Sequence, residues 1–114
     1  MNSLRNRVQL IGHLGADPEI KTLESNKKIA RLSIATNDEY TDKNGQKVKQ
    51  TQWHNLVVWG KLAETCEKYL AKGREIAIEG KLTYRTWNDK DGKSHNITEV
   101  VVNELLMMGS KDKS

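Results

Sequence analysis

Three tryptophans and a scatter of basic residues carry the chemistry of this sequence, and strand alternation decides which way they face. Over residues 51–60, TQWHNLVVWG, an extended chain points successive side chains to opposite faces. Trp53, Asn55, Val57 and Trp59 therefore share one face, and His54, Leu56 and Val58 the other. Over residues 74–87, REIAIEGKLTYRTW, the same parity groups Lys81, Thr83, Arg85 and Trp87 against Leu82, Tyr84 and Thr86. All three tryptophans thus stand beside polar or cationic residues. Rings in such company can stack on nucleic-acid bases, each stacked base contributing about 1–3 kcal/mol with little sequence preference, while nearby Lys and Arg hold phosphates. The competing reading makes Trp53 and Trp59 core residues, with Val57 between them marking the buried side. Tyr40, in the polar arm after Asn37-Asp38-Glu39, is a further ring suited equally to stacking or to packing.

Catalytic chemistry finds no comparable support. His13, His54, His95 and Cys66 lack the close pairing of a metal site, and Cys66 on a helical apolar stripe reads as a core residue. No Gly-x-x-x-x-Gly-Lys-Ser/Thr loop occurs, and Gly12-x-x-Gly15 is too short for a phosphate-binding motif. The Asp38-Glu39 pair sits in a polar arm and reads as solvated surface. The expectation is a binding protein rather than an enzyme, with no cofactor and no metal.

The bulk properties agree with binding to a polyanion. A formal charge of +4 and a pI near 9.2 attract one over long range, most strongly in low salt. With 114 residues the chain fits one domain, expected over residues 1–109, with a short loose tail over 110–114. A single cysteine excludes an intramolecular disulfide and favours a reducing, cytoplasmic setting. The first residues lack the apolar core of a secretory signal, and no apolar run reaches membrane-spanning length.

The elements that must position the rings follow from periodicity and turn chemistry. Strands are expected over residues 6–12, 28–36 (KIARLSIAT, with Ala30, Leu32 and Ile34 inward), 51–60, 74–87 and 97–102. Gly12, Gly15, Asp17 and Pro18 mark a turn after the first strand. Asn44-Gly45 marks a hairpin tip, and Asp89-Lys90-Asp91-Gly92-Lys93 another turn. Leu62, Cys66, Tyr69 and Leu70 recur at helical spacing over 61–72, with Gly73 at the C′ position of that helix. Gly80 suggests a bulge or bend in the fourth strand. The fold expected is mainly β: a five-stranded OB-fold barrel with one short helix between strands 3 and 4.

The blocks NRVQLIGHLGADPEIK, TQWHNLVVWGKLAETCEKYLAKG, IEGKLTYRTWNDKDGK and TEVVVNEL, in that order, resemble the bacterial single-stranded DNA-binding protein family from about residue 6 to residue 103. The resemblance implies base stacking on Tyr40, Trp53, Trp59 and Trp87. It also implies phosphate contacts from Arg7, Lys61, Lys72 and Arg85, and a place for His54 in a subunit interface. It further implies sequence-independent protection of single-stranded DNA in replication, recombination and repair by a homotetramer in the cytoplasm, associated with the nucleoid. DNA rather than RNA is favoured by the resemblance alone. Asn55 replaces an arginine common in the family, which removes one phosphate contact, and Trp59 replaces a common phenylalanine, which keeps the ring. The family's glycine- and glutamine-rich linker and acidic, phenylalanine-ended tip do not occur in these residues, so recruitment of replication and repair proteins through that tip is not expected of them. The alternative is an OB-fold adaptor of a replication-restart complex that binds proteins and touches DNA weakly; it would need fewer exposed rings.

Overall fold

A computed structural model describes residues 5–108; the tail expected over 110–114 lies outside the described residues. The chain runs β1 (Val8–Leu14), β2 (Glu19–Thr22), β3 (Lys28–Thr41), β4 (Lys47–Trp59), α1 (Lys61–Tyr69), β5 (Glu75–Asn88) and β6 (Ser94–Met107). The strands hydrogen-bond in the order β1-β5-β6-β4-β3-β2, and β1 also pairs with β3 through His13 and Leu14. That second pairing brings the first strand back to the far side of the sheet. The result is the expected closed five-stranded barrel, with its helix between β4 and β5.

β2 is an addition to the expected elements. It follows the turn at Pro18 in a stretch given no element, because EIKT has a single apolar residue and no detectable period. It exists because the edge of β3 offers partners, pairing Ile20 with Ala30 and Lys21 with Ile29.

Ala30, Leu32 and Ile34, expected inward, are buried, and Leu56, Val58, Ile76, Ile78, Val100 and Val102 join them, each at alternate positions of its strand. The helix adds Ala63 and Cys66, and burial pushes the Cys66 thiol up to about 11, as expected of a packed rather than a reactive cysteine. Two details of the helix differ from expectation. It ends at Tyr69, which is exposed rather than part of the apolar stripe, and Leu70 reaches the core in extended conformation. Gly73 is accordingly not the helix C′ residue. It lies in the following turn, where the Arg74 N–H donates to the Ala71 carbonyl.

Strands β3, β4 and β6 run several residues past their expected ends, while β5 differs from its expected span by only one, and the pairs β3–β4 and β5–β6 form two long hairpin arms. Their polar residues are wet on both faces, so no burial period marks them. The backbone ladder and cross-strand pairs such as Thr51 Oγ1 to Asn37 Oδ1 (2.8 Å) hold them. Both tips have one construction. Asp42 accepts at Oδ1 from the N–H groups of Asn44 and Gln46, and Asp89 does the same for Asp91 and Lys93. These are three-residue loops closing on a left-handed glycine. At the first tip only Gly45, not Asn44, takes the positive φ expected of both.

Gly80 sits at a register shift between β5 and β6, but the bulge expected in its own strand lies across from it, with Asn103 of β6 as the extra residue. A Cβ there would overlap the carbonyl of Val101 across the ladder. Gly80→Ala should therefore cost about 1–3 kcal/mol through overpacking against backbone that cannot retreat. Thermal unfolding reads this, and an unchanged melting temperature would contradict the close approach.

Candidate nucleic-acid interface

The face of the barrel opposite the core is built by four neighbouring strands. Reading across β5, β6, β4 and β3, register sets Thr83 beside Glu99, Lys81 beside Val101, Val101 beside Val57, and Val57 beside Arg31; Asn55 faces Ser33. Because the inward set is fixed by burial, parity forces all of these outward.

Trp53, Trp59 and Trp87 sit on this face or its continuation along the arms, whereas Tyr40, at an even position of β3, lies on the other side of the β3–β4 arm. Trp53, Tyr40, Trp59 and Trp87 are 59, 51, 47 and 46% exposed. The reading of Trp53 and Trp59 as core residues is thereby overturned. Val57 is nonetheless only 4% exposed between them, and its surroundings explain why. Arg31, its partner on β3, reaches across β4 to Glu99 on β6, so its side chain roofs Val57.

Two of the rings have a local support. Gly15 lies directly under Trp53, and any Cβ at that position would meet the six-membered ring of the indole. Trp87 stacks on His95, its cross-strand partner, with centroids 4.5 Å apart and planes at 20°. His95 is in turn held by Asp89 through Nε2 to Oδ2 at 2.8 Å, and this contact holds the Asp89 carboxyl below its usual range. Sequence reasoning gave His95 no role; the equal distance of residues 87 and 95 from the turn at Asp89-Lys93 was the available signal.

The expected cations are dispersed. Lys61 opens α1 and is exposed. Lys72 is exposed, and its backbone N–H donates to Asp17. Arg7 is exposed and pairs with Glu79 at 2.8 Å. Arg85 differs from a free surface cation: Nε and Nη2 donate to Oε1 and Oε2 of Glu99, each at 3.1 Å. Arg31 Nη1 donates to the same Oε2 at 2.8 Å. Neither Arg31 nor Glu99 was singled out from sequence. His54 lies on the opposite side of β4 from the rings, half-buried, with Nε2 3.0 Å from Thr36 Oγ1. Among the described residues no group of His, Cys, Asp and Glu could hold a metal ion, and no helix is long and apolar enough to cross a membrane.

Glu99 is the one buried charged residue among those described, at 5% exposure. Hydrogen bonds from Arg85 lower its carboxyl below the ordinary 4.5 most strongly; burial opposes them, and Arg31 adds to the lowering. A folded-state value below the unfolded one contributes stability that is fully present above the unfolded value and is lost as pH falls through the folded one. The melting temperatures of the parent and Glu99→Gln should therefore differ most near neutral pH and converge only as pH falls below the ordinary carboxylate range, through the lowered folded-state value. A gap independent of pH would contradict the ion-pair account.

This geometry has close counterparts. The sequence model of the Single-strand binding protein family matches residues 5–108. Single-stranded DNA-binding protein 1 of Chlorobaculum tepidum is 44% identical over 108 residues, covering 94% of this chain and 67% of that protein. The single-stranded DNA-binding protein of Neisseria meningitidis serogroup A is 38% identical over 109 residues, covering 96% and 63%. The chain thus spans about two thirds of the length of these relatives. Among solved structures, the Plasmodium falciparum SSB complex with ssDNA superposes with a TM-score of 0.86 at 33% identity, over 96% of this chain and 100% of that one. A crystal structure of a deletion mutant of the single-stranded DNA binding protein from Thermus aquaticus gives 0.81 at 32% identity, over 93% and 51%. The chain belongs to the single-strand binding protein family, whose members are non-enzymatic DNA-binding proteins.

Proposed function

We propose that this protein binds and protects single-stranded DNA without regard to sequence, by stacking bases on Tyr40, Trp53, Trp59 and Trp87. The observation that carries the reading is the exposure of all four rings, each about half accessible, on one barrel face and the arms beside it. Large rings left in water are costly unless something covers them, and a base is the cover their polar surroundings fit. The Plasmodium falciparum neighbour, solved with ssDNA, supports the choice of ligand.

Arg7, Lys61 and Lys72 attract and neutralise phosphates along the path, and Arg85 adds donors that Glu99 leaves free. The rings read no base edge, so specificity is slight and the roles are those of a general strand protector in replication, recombination and repair in the cytoplasm. A homotetramer is part of this reading. The exposed apolar row Ile11–Ala77–Leu106 across β1, β5 and β6 supports self-association, and His54, facing away from the rings, belongs to the subunit contact. Light scattering should give the mass of four chains for the parent and smaller species for His54→Lys; a monomeric parent would overturn the assembly.

Titration with oligothymidine tests the main claim. Tryptophan fluorescence should be deeply quenched, and Trp53→Ala should lose about 1–3 kcal/mol of binding free energy while remaining folded. Absence of quenching in a folded parent would sink the stacking mechanism.

A further inference from the structure

We infer that Arg31, Glu99 and Arg85 form one composite cation that seats a single phosphate at the centre of the ring-bearing face, with Glu99 as the positioning residue. The inference rests on the single-strand reading above and adds Arg31 and Glu99 to it. Three observations carry it.

Charge balance is the first. One arginine suffices to neutralise a buried carboxylate, and Arg85 already does so with a two-pronged fork. Arg31 is a second cation on the same carboxylate, so the trio keeps a net charge of +1. A group whose only task was to satisfy Glu99 would not need the surplus.

Exposure is the second. The carboxylate is buried, whereas the two arginine side chains are each 44% exposed. Arg31 spends one N–H on Glu99 and Arg85 spends two, out of about five donors on each guanidinium, so most donors remain open to solvent.

Placement is the third. Arg31 stands opposite Val57, which lies between Trp53 and Trp59 on β4 and two residues from Trp59, and Arg85 is two residues from Trp87 on the same face of β5. The surplus charge is therefore pinned among three of the rings, where a strand stacked on them would carry its backbone. On the β2 side, Asp17 and Glu19 line a cavity of about 340 Å³ beside Arg31, Asn55 and Glu99. Their carboxylates repel a phosphate from that wall and leave the β5 side open to it.

Pinning matters because a free arginine must lose side-chain entropy on gripping a phosphate, and here Glu99 has already ordered both. The same arithmetic predicts an unusual dependence on charge. Removing Arg31 leaves Arg85 cancelled by Glu99, so the seat becomes neutral. Removing Glu99 as well frees Arg85 and restores the surplus.

The test is the slope of log K against log salt for oligothymidine, compared among the parent, Arg31→Ala, Arg85→Ala and Arg31→Ala/Glu99→Gln. Each single arginine variant should flatten the slope by about 0.7, the value of one phosphate on a single strand, and the double variant should regain the parent slope. A role confined to fold stability predicts no such recovery. Unchanged slopes in the single variants, or no recovery in a folded double variant, overturn the inference. If circular dichroism shows the double variant unfolded, the single variants decide alone, since the other arginine stays paired in each. A folded parent that fails to bind oligothymidine overturns the underlying single-strand reading instead, so the two failures are distinct.

Discussion

A sheet buried on one face only has no freedom to slip by a single residue, and this constraint fixes everything on its other face. Leu32 and Ile34 on β3, Leu56 and Val58 on β4, Ile78 on β5 and Val100 and Val102 on β6 all enter one core. Shifting any of these strands by one position would expose its whole apolar set, a loss of several kcal/mol at roughly 1.5–3 kcal/mol per large side chain. The rings, the arginines and Glu99 are therefore held in place by residues that never touch solvent. At the register shift opposite Gly80 the extra residue is Asn103 on β6, so β5 keeps its even positions inward throughout while β6 changes from Val100 and Val102 to Leu105 and Met107.

Against that background the burial of Glu99 is informative. A carboxylate taken out of water loses hydration worth several kcal/mol, and only close, well-aligned partners repay it. Arg31 and Arg85 supply three hydrogen bonds from two strands that are not themselves neighbours, so the ion cluster laces the outer face across β3, β4, β6 and β5. The Arg31 side chain also shields Val57, which accounts for an apolar residue buried on the wet side of the sheet.

The two arms obey different physics from the barrel. They are held by backbone ladders, Asp-anchored tips and pairs such as Trp87 on His95, with little buried apolar surface. Such segments open more readily than a core, which suits the contact with a long strand proposed for the rings they carry.

By itself the sequence determined what is local. Two-residue alternation is a property of the extended backbone, so the shared face of Trp53 and Trp59, the grouping of Lys81, Arg85 and Trp87, and the inward set Ala30, Leu32 and Ile34 are legible without any partner strand. Turn chemistry marked both hairpin tips, and the helical spacing of Leu62 and Cys66 marked α1. What the tertiary structure alone decided is which faces adjoin. Residues 31, 85 and 99 lie on three strands, and only barrel closure brings them within hydrogen-bond reach. β2 and the outer parts of β3, β4 and β6 were hidden for a related reason: their pairing comes from a neighbour's free edge, and wet strands carry no burial period. Val57 joins the two levels, since parity places it outward and only the arginine above it, delivered by strand order, makes it buried.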